Sequence, residues 1–439
     1  MSNVLKKSCP IPISNEVLTI ERLSSLGEGV ANHRQHAVFV EGGLPGDKVV
    51  AQLSLRGKIW RGLLLEVLSP GPARRTSPCP LSESCGGCDW LHLNEEAQRD
   101  AKRLISESTL QHIGGIAPGS YQFPAVILSP QSLAYRRRAA FHWTPQGLAF
   151  YARGSHADAA VDRCIALLPR LQSLPEQLNP WLSPIGRELK TVHLLGEGEQ
   201  ASVALFLKKE GKPKQALIRQ LESLCAALKL QGAVIVPSTG KGRVILRNPI
   251  IETHHPFLNG VPLYLRPDAF AQANAEGNSL LVSAALKSLA PTQDDRVLEL
   301  HSGNGNFTFP IASACKEVLG IESSPLSLDL ANRSARQGKV ENVRFVLGEV
   351  ESVLKGLVAE RARFDLLLLD PPRAGTPGLA SSLSRLSVTR LVYVSCDIAS
   401  LARDARSFSA SGYRLEKIQL VDMFPQTHHS EVVASFTQN

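Results

Sequence analysis

No stretch of the 439-residue chain approaches the roughly eighteen consecutive apolar residues that a membrane-spanning helix requires. The opening "MSNVLKKSCPIPIS" also lacks the apolar core of a secretory signal. A soluble, cytoplasmic chain without a membrane partner is the expectation. Cysteine is scarce, at eight residues, and in a reducing compartment these are not expected to form disulfides, so any cluster among them points to metal or catalysis. No repeat is seen between about residues 130 and 265 either. What is there describes an ordinary folded protein, 43% apolar and 20% charged, too long for a single hydrophobic core, so two or three domains are expected. A net charge of +8 favours a polyanionic partner such as nucleic acid.

Residues 14 to 70 read as short alternating strands broken by glycine and proline, "EVLTIERL", "HAVFVEGG", "GDKVVAQLSL" and "IWRGLLLEVLSP", which predicts a small antiparallel barrel carrying Arg34, Lys48, Arg56, Lys58 and Arg61. The pattern "LGEGVAN…AVFVEGGLPGDKVVAQL" resembles the TRAM domain, an OB-like, RNA-binding barrel. "SPGPARRTSPCP" (69–80) reads as a proline-rich linker, and Asn94 as the N-cap of a helix that ends in the glycines after residue 113. Beyond residue 275 apolar strands alternate with helices, which predicts a parallel sheet wrapped by helices.

"VLELHSGNGNFTFPIA" (297–312) is a buried strand, a glycine turn and a helix start. Gly303 and Gly305 let backbone approach a ligand at the carboxyl end of the sheet, but Thr308 stands where a nicotinamide site would want a third glycine. Glu322 ends the next strand and can accept ribose hydroxyls, and Glu349 trails the one after, near where an adenine amine would lie. This layout suits S-adenosyl-L-methionine better than NAD.

"LLLLDPPRAG" (366–375) makes a rigid lip, since each proline fixes its own φ and turns its predecessor away from the helical region. Arg373 replaces the aromatic residue usual in amino-group methyltransferases, so an exocyclic amine is not the obvious acceptor. Cys396 ends the strand "LVYVSC" ahead of a helix whose N-terminus can stabilise a thiolate. Carbon 5 of uracil is a poor nucleophile; a thiolate added at carbon 6 makes it a good one, and a base must then remove the carbon 5 proton. Glu431, His428 and His429 are candidates for that base.

"DPPRAG", "VYVSC…LARD" and "DMFPQTHHSE" together resemble the RNA uracil-C5 methyltransferases of the TRAM-bearing ribosomal and transfer RNA group, over nearly the whole chain. The resemblance implies Cys396 as nucleophile and Glu431 as base. It implies contacts to the methyl donor from Gln272, Asn306, Glu322 and Asp370, and His301 and Glu349 complete the expected donor set. Three positions depart from the family's pattern. Asp397 and Ile398 follow the cysteine where Asn-Pro is usual, His301 stands in place of an aromatic, and Glu349 in place of Asn or Asp. Asp397 is expected to raise the thiol's pKa.

Cys79, Cys85 and Cys88 are spaced C-x5-C-x2-C, with Cys164 a plausible fourth ligand, which suits zinc or an iron–sulfur cluster; the family resemblance implies a [4Fe–4S] cluster. A radical enzyme would show C-x3-C-x2-C instead. "YRRRAAFHW" (135–143) interleaves arginines with aromatic rings, an RNA-contacting pattern or a core strand with a charged face. The expected organisation is a barrel over 1–72, a central α/β domain with the cluster over 73–93 and 128–265, and a Rossmann-like S-adenosyl-L-methionine-dependent methyltransferase domain over 94–127 and 266–439. The expected enzyme acts as a monomer with no obligate protein partner and makes 5-methyluridine in RNA. 23S rRNA is the expected substrate, tRNA the alternative, and a non-catalytic RNA-binding protein the rival of a different kind.

Overall fold

The alternation in "KVVAQLSLR" is realised as buried and exposed positions taken in turn, as a strand with one face on a core requires. A computed structural model describes residues 12–438. The reading of the opening residues as lacking a signal lies outside the described residues. The chain divides into two compact units, the first holding residues up to 106 with 152–156 and 426–428, the second the remainder.

In the first unit β1 (Pro12–Leu23), β2 (Gly29–His33), β3 (His36–Val40), β4 (Lys48–Arg56) and β5 (Ile59–Ser69) close into a barrel in the order β1-β2-β3-β5-β4, with β4 paired back on β1. Leu18, Ile20, Val38, Val40, Val49, Ala51 and Leu53 fill it. Closure leaves no open edge. The stretch expected to be a linker is fastened instead. The buried Asp47 carboxylate accepts the N–H of Leu44 (2.7 Å) and of Gly71 (2.8 Å) and pairs with the Arg74 guanidinium. Asn94 caps α1 (Glu95–His112) by accepting the Ala97 N–H at 2.9 Å.

The second unit contains two large sheets. After the two-residue β6 (Ile127–Leu128), the strands β7 (Arg138–Thr144), β8 (Gly147–Tyr151), β9 (Asp158–Ala160), β10 (Leu189–Glu197), β11 (Gln200–Leu207), β12 (Gly232–Val236) and β13 (Val244–Arg247) form a seven-stranded sheet in the order β13-β12-β11-β10-β7-β8-β9. Helices α2 (Leu174–Leu182) and α3 (Gln215–Ala227) flank it, and the short ribbon β14 (Ile251–Thr253) and β15 (Leu263–Leu265) follows.

The other sheet has eight strands. It alternates α4 (Ala275–Leu289), β16 (Arg296–Leu300), α5 (Thr308–Ala312), β17 (Glu317–Glu322), α6 (Pro325–Gln337), β18 (Val343–Leu347), α7 (Val350–Ala359), β19 (Leu366–Leu369), α8 (Ala380–Leu383), β20 (Arg390–Ser395) and α9 (Ile398–Ala410). It finishes with β21 (Tyr413–Asp422) and β22 (Glu431–Gln438). The order is β18-β17-β16-β19-β20-β22-β21-β6, the first five parallel and β22 antiparallel to both neighbours. All four leucines of β19 are buried, as a parallel strand covered on both faces demands. No described helix is long and apolar enough to cross a membrane.

Candidate active site

In a doubly wound sheet ligands sit beyond the carboxyl ends of the strands where the order reverses. Here that place lies between β16 and β19, and a cavity of about 730 Å³ opens there. Gln272, His301, Asn306, Glu322, Asp370, Cys396 and Glu431 all line it.

One wall is the turn after β16. His301, Gly303 and Gly305 have φ of +62°, +58° and +93°. A side chain at Gly303 would project where no protein atom lies within 4 Å, and one at Gly305 would collide with the Phe309 ring, so glycine leaves an open cradle at the first and a tight turn at the second. The Glu322 carboxylate ties the turn to the end of β17, accepting the N–H of Gly303 (2.9 Å) and of Ser324 (2.7 Å). Asn306 exchanges two hydrogen bonds with the Asn278 amide, at 2.7 and 3.0 Å. The Ser302 hydroxyl lines the cavity, buried and without a partner among the described residues. Beneath the turn Glu299 is buried, and its pKa is pushed up to about 8 by that burial.

The opposite wall is the meeting of β20 and β22. Cys396 follows the last residue of β20, and Glu431 is the first of β22. Because β22 runs antiparallel to β20 in the register Ser395 opposite Val432, the thiol and the carboxyl come to the same sheet end. Burial pushes the Cys396 thiol up to about 11; Glu431 adds to this, Arg373 pulls it down, and Asp370 and Asp397 raise it. Glu431, 4% exposed, is lifted well above the usual carboxylate range by burial, with Asp370 adding and Arg373 opposing, and burial lifts Asp370 as well.

Asp397 has a local explanation. Its Oδ1 accepts the Ser400 N–H at 2.7 Å, which makes it the N-cap of α9 with Ile398 in the first helical position. Asn and Asp cap equally well, and Pro is merely favoured at that next position, so the departure from Asn-Pro preserves the helix start. Burial and the neighbouring charges together push the thiol's pKa upward.

Not every residue singled out in the sequence reaches the cavity. Glu349 is exposed as the N-cap residue of α7, and its charge is felt by His301, whose pKa burial lowers. His429 lines the cavity, whereas His428 belongs to the first unit, where its ring pairs with Asp89. The arginine-aromatic segment is largely internal. Tyr135 and Phe141 are buried, and Arg137, 3% exposed, donates to the Gln272 carbonyl (2.8 Å) and pairs with Glu197. His142 stacks on Tyr151; Arg136 and Arg138 remain on the cavity wall. Arg373 and Asn278 were missed as site residues. The proline lip flagged the first, but nothing in sequence spacing brings residue 278 beside 306.

Cys79, Cys85 and Cys88 lie half-buried in the first unit and Cys164 half-buried in the second. Gly87 N–H donates to the Cys85 Sγ at 3.4 Å. Among the described residues no group of three His, Cys, Asp or Glu side chains is gathered as a metal site.

This sheet order, with its reversed strand next to β20 and its glycine turn facing a thiol and a carboxyl, defines a Rossmann-like methyltransferase. A solved structure, the Pyrococcus abyssi tRNA (uracil-54, C5)-methyltransferase in complex with S-adenosyl-L-homocysteine, shares the fold along 97% of this chain and 100% of its own, with a TM-score of 0.72 at 22% identity. The chain belongs to the tRNA (Uracil-5-)-methyltransferase family, whose profile matches residues 124–438, and a TRAM domain matches residues 16–54. A Pseudomonas putida relative is 35% identical over 434 residues, covering 95% of this chain and 93% of its own. One from Vibrio campbellii is 32% identical over 447 residues, covering 99% and 98%. Both are named 23S rRNA (uracil(1939)-C(5))-methyltransferase RlmD. The protein is an RNA uracil-C5 methyltransferase with S-adenosyl-L-methionine as methyl donor.

Proposed function

We propose that the chain methylates carbon 5 of one uridine in 23S rRNA, in the cytoplasm, with Cys396 as nucleophile and Glu431 as base. The observation that carries the roles is the shared lining of one cavity by this thiol, this carboxyl and the glycine turn. The substrate rests on relatives 32–35% identical along almost the whole chain that carry that name. The cradle at Gly303 and the unpartnered Ser302 hydroxyl suit a bound nucleoside, with Gln272, His301, Asn306, Glu322 and Asp370 as its contacts and Glu349 outside the lining. When bound, S-adenosyl-L-methionine supplies an electrophilic methyl on a sulfonium.

Cys396 Sγ, as thiolate, bonds to carbon 6 of a uracil taken out of its stack, and the ring's electrons move to carbon 5, which accepts the methyl as its bond to the donor sulfur breaks, that electron pair staying on sulfur and S-adenosyl-L-homocysteine leaving. Glu431 then takes the carbon 5 proton, the double bond re-forms and the thiolate leaves, so Cys396 ends as it began. A carboxyl lifted by burial is the stronger base once ionised, which suits Glu431 to that task. Incubation with 23S rRNA carrying 5-fluorouridine, which has no carbon 5 proton to lose, is expected to trap a covalent complex that resists denaturation. A Cys396→Ala chain that still traps RNA or still methylates would overturn the roles; 5-methyluridine mapped to tRNA instead would overturn the substrate.

Cys79, Cys85, Cys88 and Cys164 are proposed to hold a [4Fe–4S] cluster. Their chain spacing supports it, as does the Gly87 N–H aimed at the Cys85 sulfur, the kind of bond that steadies a ligating thiolate. Its role is structural or RNA-positioning, since methyl transfer from a sulfonium moves an electron pair and needs no redox partner. Anaerobically purified protein is expected to contain iron and sulfide, and a Cys85→Ser chain to lose both; colourless, iron-free wild type would refute it. The division into barrel, cluster-bearing central domain and methyltransferase domain, working as a monomer, is likewise our reading. It is supported by the separation of strands into one barrel and two large sheets, with β6 joining the last.

A further inference from the structure

The loop after β19 carries Arg373 on two prolines that donate no N–H, so its own backbone holds it by little more than one turn bond, from the Gly375 N–H to the Pro372 carbonyl (2.8 Å). Three side chains of α9 hold it from outside. The Ser400 hydroxyl donates to the Arg373 carbonyl (2.5 Å), and Arg403 Nη2 donates to the Ala374 carbonyl (2.7 Å). Asp404 Oδ2 accepts the Thr376 N–H (2.7 Å) and the hydroxyl of Tyr393 (2.9 Å), while its Oδ1 accepts from Arg403 Nε (3.0 Å). Asp404 is 3% exposed and Tyr393 wholly buried, so the bond between them is shielded from water, while the bonds from Ser400 and Arg403 to the loop carbonyls lie at the surface. Gly375, at φ +73°, is where the loop presses on the carboxylate; a Cβ there would collide with Asp404 and Arg403.

Tyr393 lies three residues before Cys396, and α9 begins two residues after it. The gripping groups and the thiol therefore belong to one short, rigid segment. What they grip carries the one cation among the charged groups that, of the described residues, bear most on Cys396. These are Glu431 from β22, Asp370 and Arg373 from the loop, and Asp397 from the thiol's own turn.

Resting on the reading of Cys396 as nucleophile, we propose that Asp404 is a positioning residue: with Ser400 and Arg403 it locks the Arg373 loop to the segment bearing the thiol. Asp404 does not line the cavity and acts through the loop it holds.

The test uses full-length Asp404→Asn and Ser400→Ala chains. Asp404→Asn is expected to lower kcat by about tenfold to 10²-fold, the scale on which small misplacements at a reacting centre act, with KM for RNA and for the methyl donor within about threefold. Its Cys396 alkylation by iodoacetamide, followed by peptide mass across about pH 7 to 10, is expected to move to higher pH as the cation draws back. Ser400→Ala, which loses one hydroxyl bond, is expected to show both changes in smaller measure and serves if Asp404→Asn does not fold. A lower Tm with unchanged kcat and an unchanged alkylation profile would make the clamp merely structural and overturn the proposal. A Cys396→Ala chain that stays active would instead sink the nucleophile reading beneath it, so the two failures are distinguishable.

Discussion

At the scale of single residues, the proposed roles of Cys396 and Glu431 separate in time. Glu431→Gln leaves the thiol intact but removes the acceptor for the carbon 5 proton. Such a chain is expected to form the covalent RNA complex on an ordinary uridine substrate and fail to resolve it, with turnover down by about 10²-fold or more, read as a slow band in a denaturing gel. Glu299 makes a prediction about stability. Burial raises its pKa from an ordinary 4.5 to about 8, with smaller upward contributions from Asp370 and Glu322. Folding therefore favours its protonated form. That stability is whole below pH 4.5, where the unfolded chain is protonated too, and drains away as pH climbs toward about 8. Glu299→Gln is expected to flatten this slope, gaining on the wild type at pH 8 but not at pH 4.5, as measured by urea midpoints at the two pH values.

At the scale of elements, the short turn from β20 into α9 does two jobs at once. Asp397 starts the helix and burdens the thiol with a nearby negative charge. Asp397→Asn keeps the cap, so it is expected to leave stability unchanged and bring Cys396 alkylation to lower pH. Asp397→Ala should show the same titration change and also cost about 1 kcal/mol in denaturant unfolding. This is also where the limits of the sequence lie. The strand, glycine turn and helix over 296–312 were legible because periodicity and glycine act locally, and so was the proline lip. The pairing of Asn278 with Asn306, the hold of Asp404 on Thr376 and the fastening of 71–74 by Asp47 were not, because each joins residues 24 to 28 positions apart through tertiary packing. "YRRRAAFHW" left two readings open for a related reason, and the burial of Tyr135, Arg137 and Phe141 matches the core strand. Alternation along a strand sends every second side chain inward, and periodicity alone did not say which way Arg137 would point.

At the scale of the whole molecule, the net charge of +8 is the longest-ranged property the chain has. Arg34 and Lys58 on turns of the barrel and Arg56 at the end of β4 stand exposed, with no ion pair among the described residues. Replacing all three by Ala is expected to weaken RNA binding and to lower the slope of log affinity against log salt by about two to three, since each phosphate contact contributes close to one. Affinity for S-adenosyl-L-methionine should stay as it was. Filter binding across a salt series measures the first, calorimetry the second.

The reversed final strand has a consequence for how this protein can fail. Residues 431 to 438 are wedged between two neighbours, so a protease cut or premature stop near Asp422 would take away the proposed proton acceptor and, in the same stroke, expose two bare strand margins to other chains. Damage at that end should therefore yield insoluble material and no partially working catalyst.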